Sequence, residues 1–353
     1  MSLAAGQREP SPGERFLSLL GDPERHEIDC RRVMVVFAHP DDETLAMGGT
    51  LSRLAGIRLL HVTDGAPADM ADALANGFSR REDYAAARRE ELARAVGQAG
   101  VAREALLTFG AADQTAALQM PILTRRLAKV FRANQTILTI THAYEGGHPD
   151  HDATAFIVHA ACRLAAGSGG AAPEIIECPL YHARNGEWMR QEFPLADFPT
   201  CEGDARQGRG GSGRRRYAGA HASREAASPP SVGFADISPA RGEIGARDPS
   251  PDIEPDEMAG RSEPTASETA IDLDAEAARV KRGMLAAHRT QQRTLELFGL
   301  GPERFRLAPR YDFSQLPNGG ELLYESFDWG LDGETWLRLA QEACSTLGLP
   351  PWF

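Results

Sequence analysis

Short apolar runs alternate with longer amphipathic stretches over the first half of the chain. Val33–Ala38 (VMVVFA) is a continuous valine-rich run, the pattern of a strand buried on both faces. Thr44–Ala55 then places small and apolar residues at helical spacing. Ile57–Thr63 (IRLLHVT) is a second strand, and Arg80–Gly97 is a strongly charged helix with Ala and Leu along one side. The alternation continues through strand Ala105–Phe109, helix Ala116–Arg132, strand Thr136–His142, apolar helix His151–Ala166 and strand Glu174–Tyr181. Strands separated by helices define βαβ units with parallel pairing and right-handed crossovers. The fold class this predicts is α/β, a Rossmann-like three-layer sandwich around a mainly parallel sheet. In the common strand order 3-2-1-4-5, the first and fourth strands are neighbours whose helices leave on opposite faces. The loops after them then meet at the switch point where such sheets bind ligands.

The pattern fails at both flanks of this region. Residues 1–30 are polar and Pro/Gly-containing and read as a flexible lead-in. Residues 201–270 contain no Leu and no Trp, and include GRGGSGRRR, SPPS and ARDPSPD. Such a segment buries too little apolar surface to offset its ordering entropy, so it reads as a disordered low-complexity insertion. The expected organisation is one domain made of residues 31–200 and 271–353. After the insertion, Asp274–Phe298 reads as one long helix, Arg304–Phe313 and Glu321–Trp329 as a closing pair of strands, and Glu334–Leu347 as a last helix.

Charge and cysteine content narrow the function classes. The 353 residues carry 38 Lys+Arg against 50 Asp+Glu, a net charge of -12. That balance argues against nucleic acid as a partner, since such binding needs a basic footprint. No apolar run reaches the roughly 20 residues of a membrane span, and none near the start has signal-peptide length. Membrane insertion is therefore not expected, the cytoplasm is the expected compartment, and a homo-oligomer stays open. Five scattered cysteines without a C-x-x-C pair indicate buried free thiols rather than disulfides or a cysteine-type zinc site.

Chemistry concentrates in two loops. The first strand ends in Ala38-His39-Pro40-Asp41-Asp42-Glu43, where a dinucleotide-binding fold would need glycines to approach a pyrophosphate. The fourth strand ends in Gly146-Gly147-His148-Pro149-Asp150-His151. Either loop alone reads as an ordinary helix cap, because Asp at a helix start often does nothing more. Both loops at one switch point offer two His and a carboxylate with an open position, the donor set of a catalytic zinc site. The same N/O donors also suit ferrous iron.

AHPDDE closing a first strand, with GGHPDH closing a fourth, resembles the PIG-L/LmbE-like zinc-dependent deacetylase family. The resemblance covers Arg32–Tyr181 and resumes at Lys281 and His288-x-x-Gln291. The family hydrolyses N-acetyl groups, mostly on N-acetylglucosaminyl conjugates, so the resemblance implies a small-molecule N-acetyl amino-sugar conjugate as substrate. It also implies His39, Asp42 and His151 as metal ligands, Asp41 as general base, and His148 as the group that stabilises the oxyanion. Asp150 would orient or tune the His pair and keep the His148 imidazole charged, while Arg88 and Asp113 would reach substrate hydroxyls. The chemistry agrees: zinc acidifies water, a carboxylate moves the proton, and a cationic imidazole balances the negative oxygen. Two other readings stand beside this one. One is a zinc amidase for another N-acylated small molecule. The other is a sugar-binding protein of the same fold, which would have no use for Asp41.

Overall fold

The computed structural model describes residues 8–167, 171–194, 268–327 and 329–353. Five parallel strands form the centre of the sheet: β1 (Val33–Phe37), β2 (Arg58–Pro67), β3 (Leu106–Asp113), β4 (Leu138–His142) and β5 (Glu174–Cys178). They lie in the order β3-β2-β1-β4-β5. Beyond β5 the sheet is extended by β7 (Glu303–Leu307) and then by the edge strand β6 (Thr269–Ile271), each antiparallel to its neighbour. Strands from either side of the 201–267 segment thus join one sheet.

Alternating side chains of β1 feed two cores. Val33, Val35 and Phe37 face one apolar cluster, while Met34 and Val36 face the other, as period-two geometry requires. The first core is covered by α1 (Pro12–Leu20), α2 (Asp42–Met47), α3 (Arg81–Gly97) and α6 (Ala275–Ala287). The second is covered by α4 (Met120–Ala133), α5 (Pro149–Ala166) and α7 (Gly333–Leu347). The helices after β1 and β4 therefore pack on opposite faces, so the two motif loops open toward each other at the carboxyl edge of the sheet.

Several expectations need correction. Part of the lead-in is folded: Ser11 and Glu14 form a reciprocal capping box at the start of α1, and Phe16, Leu17 and Leu20 enter the first core. Residues 269–270 belong to β6 rather than to the insertion, because they pair with Arg304 and Phe305. The remainder of that insertion lies outside the described residues, apart from Glu268. The helix after β1 is also short. It ends at Gly48-Gly49, where an added Cβ on Gly49 would lie 2.5 Å from Leu273.

The long helix expected over Asp274–Phe298 breaks at His288 (ψ 69°), and shorter turns follow at Arg289–Gln291 and Gln292–Leu295. Of the closing strand pair only β7 forms. Leu323–Ser326 is a single tight turn instead, tied to the GGHPDH loop by the Leu323 N–H donating to the Gly146 carbonyl (2.8 Å). After β5 the chain makes a hairpin, Tyr181–Arg184 against Glu187–Arg190, through Asn185-Gly186 with both φ positive. Four cysteines, Cys30, Cys162, Cys178 and Cys344, are free and buried; Cys201 lies outside the described residues. Among the described residues no helix is long and apolar enough to cross a membrane.

Candidate active site

The loop from β1 to α2 is drawn tight by the Asp42 carboxylate, which accepts the His39 N–H at 2.7 Å. In the other loop, His148 caps α5 and Pro149 occupies its first turn, where a missing N–H costs nothing. Asp152 accepts the Glu145 and Gly146 N–H groups, and Glu145 accepts those of Leu180 and Tyr181, so the loop is pinned from both sides. Gly147 must be glycine, because a Cβ there would collide with the Tyr181 carbonyl.

The fold brings His39, Asp42 and His151 together. His39 Nδ1 lies 3.2 Å from His151 Nε2 and 3.4 Å from Asp42 Oδ2; His151 Nε2 lies 3.4 Å from Asp42 Oδ1. The two Asp42 contacts end on different carboxylate oxygens, one facing each histidine, so the three side chains cluster closely without one shared carboxylate donor atom. Among the described residues the buried groups with metal-holding geometry are His39–His148–His151, His39–Asp113–His148–Asp150 and Asp42–His142–His151, so His151 shares one group with His39 and another with Asp42. His142 is set apart by its Nε2, which already accepts the Ala38 N–H at 2.8 Å. Burial, then the facing His151, push its pKa down to about 3, and it stacks as a neutral ring on His151 at 4.1 Å.

On the far side of His39, Nε2 meets Asp113 Oδ1 at 3.0 Å and Asp150 Oδ2 at 3.5 Å. A proton donated there leaves Nδ1 as a lone pair toward Asp42 and His151. Burial works against any charge on His39, yet Asp113 and Asp42 outweigh it and raise its pKa well above the usual value. Burial likewise opposes charge on Asp42, and His151 and His39 hold its carboxyl well below the usual range. The pocket stabilises positive charge where these three side chains meet, which fits the donor chemistry of a divalent cation.

Asp41 points elsewhere. Its Oδ2 accepts from Arg88 Nη2 at 2.9 Å, and burial, only partly opposed by Arg88, raises its pKa. Arg88 is buried, also donates to the Gly65 carbonyl, and lies 4.0 Å from Asp113. A Cβ on Gly65 would lie 2.5 Å from the guanidinium, so that turn is open for Arg88. Arg88, expected to reach substrate hydroxyls, is engaged through both Nη atoms by Gly65 and Asp41, and it also lines the cleft. Asp113 is held by His39 but still lines the narrow cleft beside Asp41, Asp42 and Tyr181.

Asp150 meets His39 through its carboxylate and His148 through its backbone. The Asp150 carboxylate accepts the Gln114 and Ala116 N–H groups (2.6 and 2.9 Å), fixing the loop after β3. It is the Asp150 backbone N–H that donates to His148 Nδ1 (3.1 Å). Burial, then His39 and His151, push the His148 pKa well below its usual value. With Nδ1 accepting, the ring proton belongs on Nε2, and burial with the neighbouring histidines disfavours a second one.

Some neighbours carried no local signal. Trp329 reaches the site from the C-terminal segment, its ring 4.5 Å from that of His148. Leu45, Leu295 and Phe298 give the cleft an apolar wall. Glu43, the last residue of HPDDE, turns inward to His61 (3.0 Å) and Thr44 (2.6 Å). His142 was visible as a strand-end histidine, but its contact with Ala38 depends on β1 and β4 being adjacent.

Residues 34–162 match the family described as PIG-L, GlcNAc-PI de-N-acetylase. Over 131 residues the chain is 33% identical to a probable N-acetyl-alpha-D-glucosaminyl L-malate deacetylase 2 of Bacillus anthracis. That alignment covers 35% of this chain and 56% of the relative, little more than half its length. Among solved structures, the conserved protein TT1542 from Thermus thermophilus is 25% identical, with 43% of this chain and 68% of that one covered and a TM-score of 0.35. The zinc-inhibited form of teicoplanin deacetylase Orf2 is 13% identical, with 78% and 97% covered and a TM-score of 0.43. Over residues 34–162 the chain is thus similar to PIG-L/LmbE-like deacetylases.

Proposed function

We propose that this protein is a metal-dependent N-deacetylase acting on an N-acetylated amino sugar or its conjugate. The observation that carries the reading is the buried cluster of His39, Asp42 and His151 with a second carboxylate, Asp41, beside it and turned to Arg88. The family match and the sugar conjugate named for the Bacillus relative support the substrate class. His39, Asp42 and His151 would hold a divalent cation, zinc or ferrous iron, which would supply Lewis acidity for the amide carbonyl and for water.

The remaining steps belong to side chains. Asp41 takes the proton of the attacking water and returns it to the departing amine. Its raised pKa suits that exchange, and Arg88 fixes its direction. The His148 Nε2–H donates toward the carbonyl oxygen as negative charge grows there. The closed loops and apolar wall limit water in the cleft. A longer acyl group is the second reading, favoured by Leu45, Leu295 and Phe298. Buried free thiols suit a reducing compartment such as the cytoplasm.

The test is acetate release from a panel of N-acetyl amino sugars and their conjugates by metal-loaded protein, beside longer N-acyl analogues. Acetate from sugar conjugates is the expected result. Turnover of the longer analogues alone favours the second reading, and no amide cleavage on any member contradicts both.

A further inference from the structure

A second cavity, of about 250 Å³, adjoins the cleft that holds Asp41, Asp42 and Asp113. The two share Asp72, Gln291 and Thr294 as walls, so a ligand bound at one reaches the other. Pockets for whole drug-sized ligands run from about 300 to 1,000 Å³, so this one takes a substituent rather than a complete molecule. Its outer wall carries Arg289 and Arg293, four positions apart on the turns that follow the break at His288.

Both arginines are exposed, and neither guanidinium is paired with a carboxylate among the described residues. That contrasts with Arg88, Arg81 and Arg306, which all hold acidic partners. Two acidic groups stand nearby. Asp72 lines the junction with the cleft, where sugar hydroxyls belong, and Glu91 on α3 is buried and takes the Thr290 N–H and hydroxyl. The outer end of the cavity is left cationic on a chain of net charge -12.

We infer that this cavity is a subsite for an anionic group, carboxylate or phosphate, on the part of the substrate beyond the sugar. The inference rests on the deacetylase reading for its substrate class and names what that reading leaves open. Guanidinium groups suit it because they bind both oxyanions in a planar, two-point fashion.

Calorimetric titration of the full chain tests the inference without turnover. The probes are N-acetylglucosamine joined at C1 to a hydroxy acid, the methyl ester of that conjugate, and the sugar 1-phosphate. The acid or the phosphate should bind roughly 10-fold to 100-fold tighter than the ester, the range of one or two charge-assisted contacts. The preferred anion identifies its source. Arg289→Gln with Arg293→Gln should narrow the anion-to-ester ratio toward one. Equal binding of all three probes, or a preference that survives the double substitution, overturns the inference. Acetate release measured in parallel judges the deacetylase reading separately, because binding preference does not depend on cleavage.

Discussion

His148 shows how one backbone contact sets the chemistry of a side chain. Its Nδ1 accepts the Asp150 N–H, which places the proton on Nε2, and in the proposed reaction the ring is a neutral donor. His148→Ala should lower turnover about 10²–10³-fold, the effect of losing one such donor, with metal content kept. Asp150→Asn retains the backbone N–H and should spare that donor while loosening the Gln114–Ala116 loop, read as faster amide exchange there. An unchanged rate for His148→Ala would remove His148 from the reaction. Arg88→Met should lower turnover at least tenfold with metal content kept, because Asp41 loses the group that aims it; unchanged turnover would show that Asp41 needs no such partner. His39, Asp41, Asp42, His148 and His151 were legible as candidates because they sit in two short contiguous motifs. The true contacts of Arg88 and Asp150 were not, since Asp41, Gln114 and Ala116 lie in loops distant from them in sequence.

At the scale of elements, the C-terminal segment holds the first motif in place. Lys281 on α6 donates to Glu303 on β7 and to the Leu45 carbonyl in α2, both at 2.9 Å, and Glu303 accepts the Gly49 and Thr50 N–H groups. Both charges are fully buried. Lys281→Met strands Glu303 and should cost about 3–5 kcal/mol in urea unfolding, and adding Glu303→Gln should recover part of that. A loss below about 1 kcal/mol would show the pair to be dispensable. Helices and parallel strands of the first half were readable because each follows one hydrophobic period over many residues. The break at His288 was not, because it depends on groups outside the helix: His288 Nε2 lies 3.2 Å from Thr44 Oγ1, and Glu91 accepts the Thr290 N–H.

Across the whole molecule, the predicted 3-2-1-4-5 order holds, and with it the meeting of the two motif loops. The antiparallel extension by β7 and β6 was beyond reach, because short edge strands carry little periodicity and their partner is far away in sequence. That extension buries Glu177 against Arg306 and Tyr311 (both 2.7 Å). Burial, opposed by Arg306 and Tyr311, raises its pKa from 4.5 to about 7. A folded-state value above the unfolded one means that folding takes up a proton, so this group favours the fold most below about pH 4.5. Its contribution is lost as the pH rises to about 7. Glu177→Gln should flatten the fall in stability between about pH 5 and 7, followed by urea unfolding; an unchanged slope would place that titration elsewhere.

Two adjacent carboxylates divide the labour of the proposed reaction, Asp42 on the cation and Asp41 on the proton. Elemental analysis of metal, with acetate release from the same samples, tests that division in two variants. Asp41→Asn should keep metal near the parent level while turnover falls about 10²–10⁴-fold. Asp42→Ala should lose much of the metal along with activity, since one of three anchors is gone. Metal lost from Asp41→Asn but kept by Asp42→Ala, or neither property altered in either variant, would contradict it.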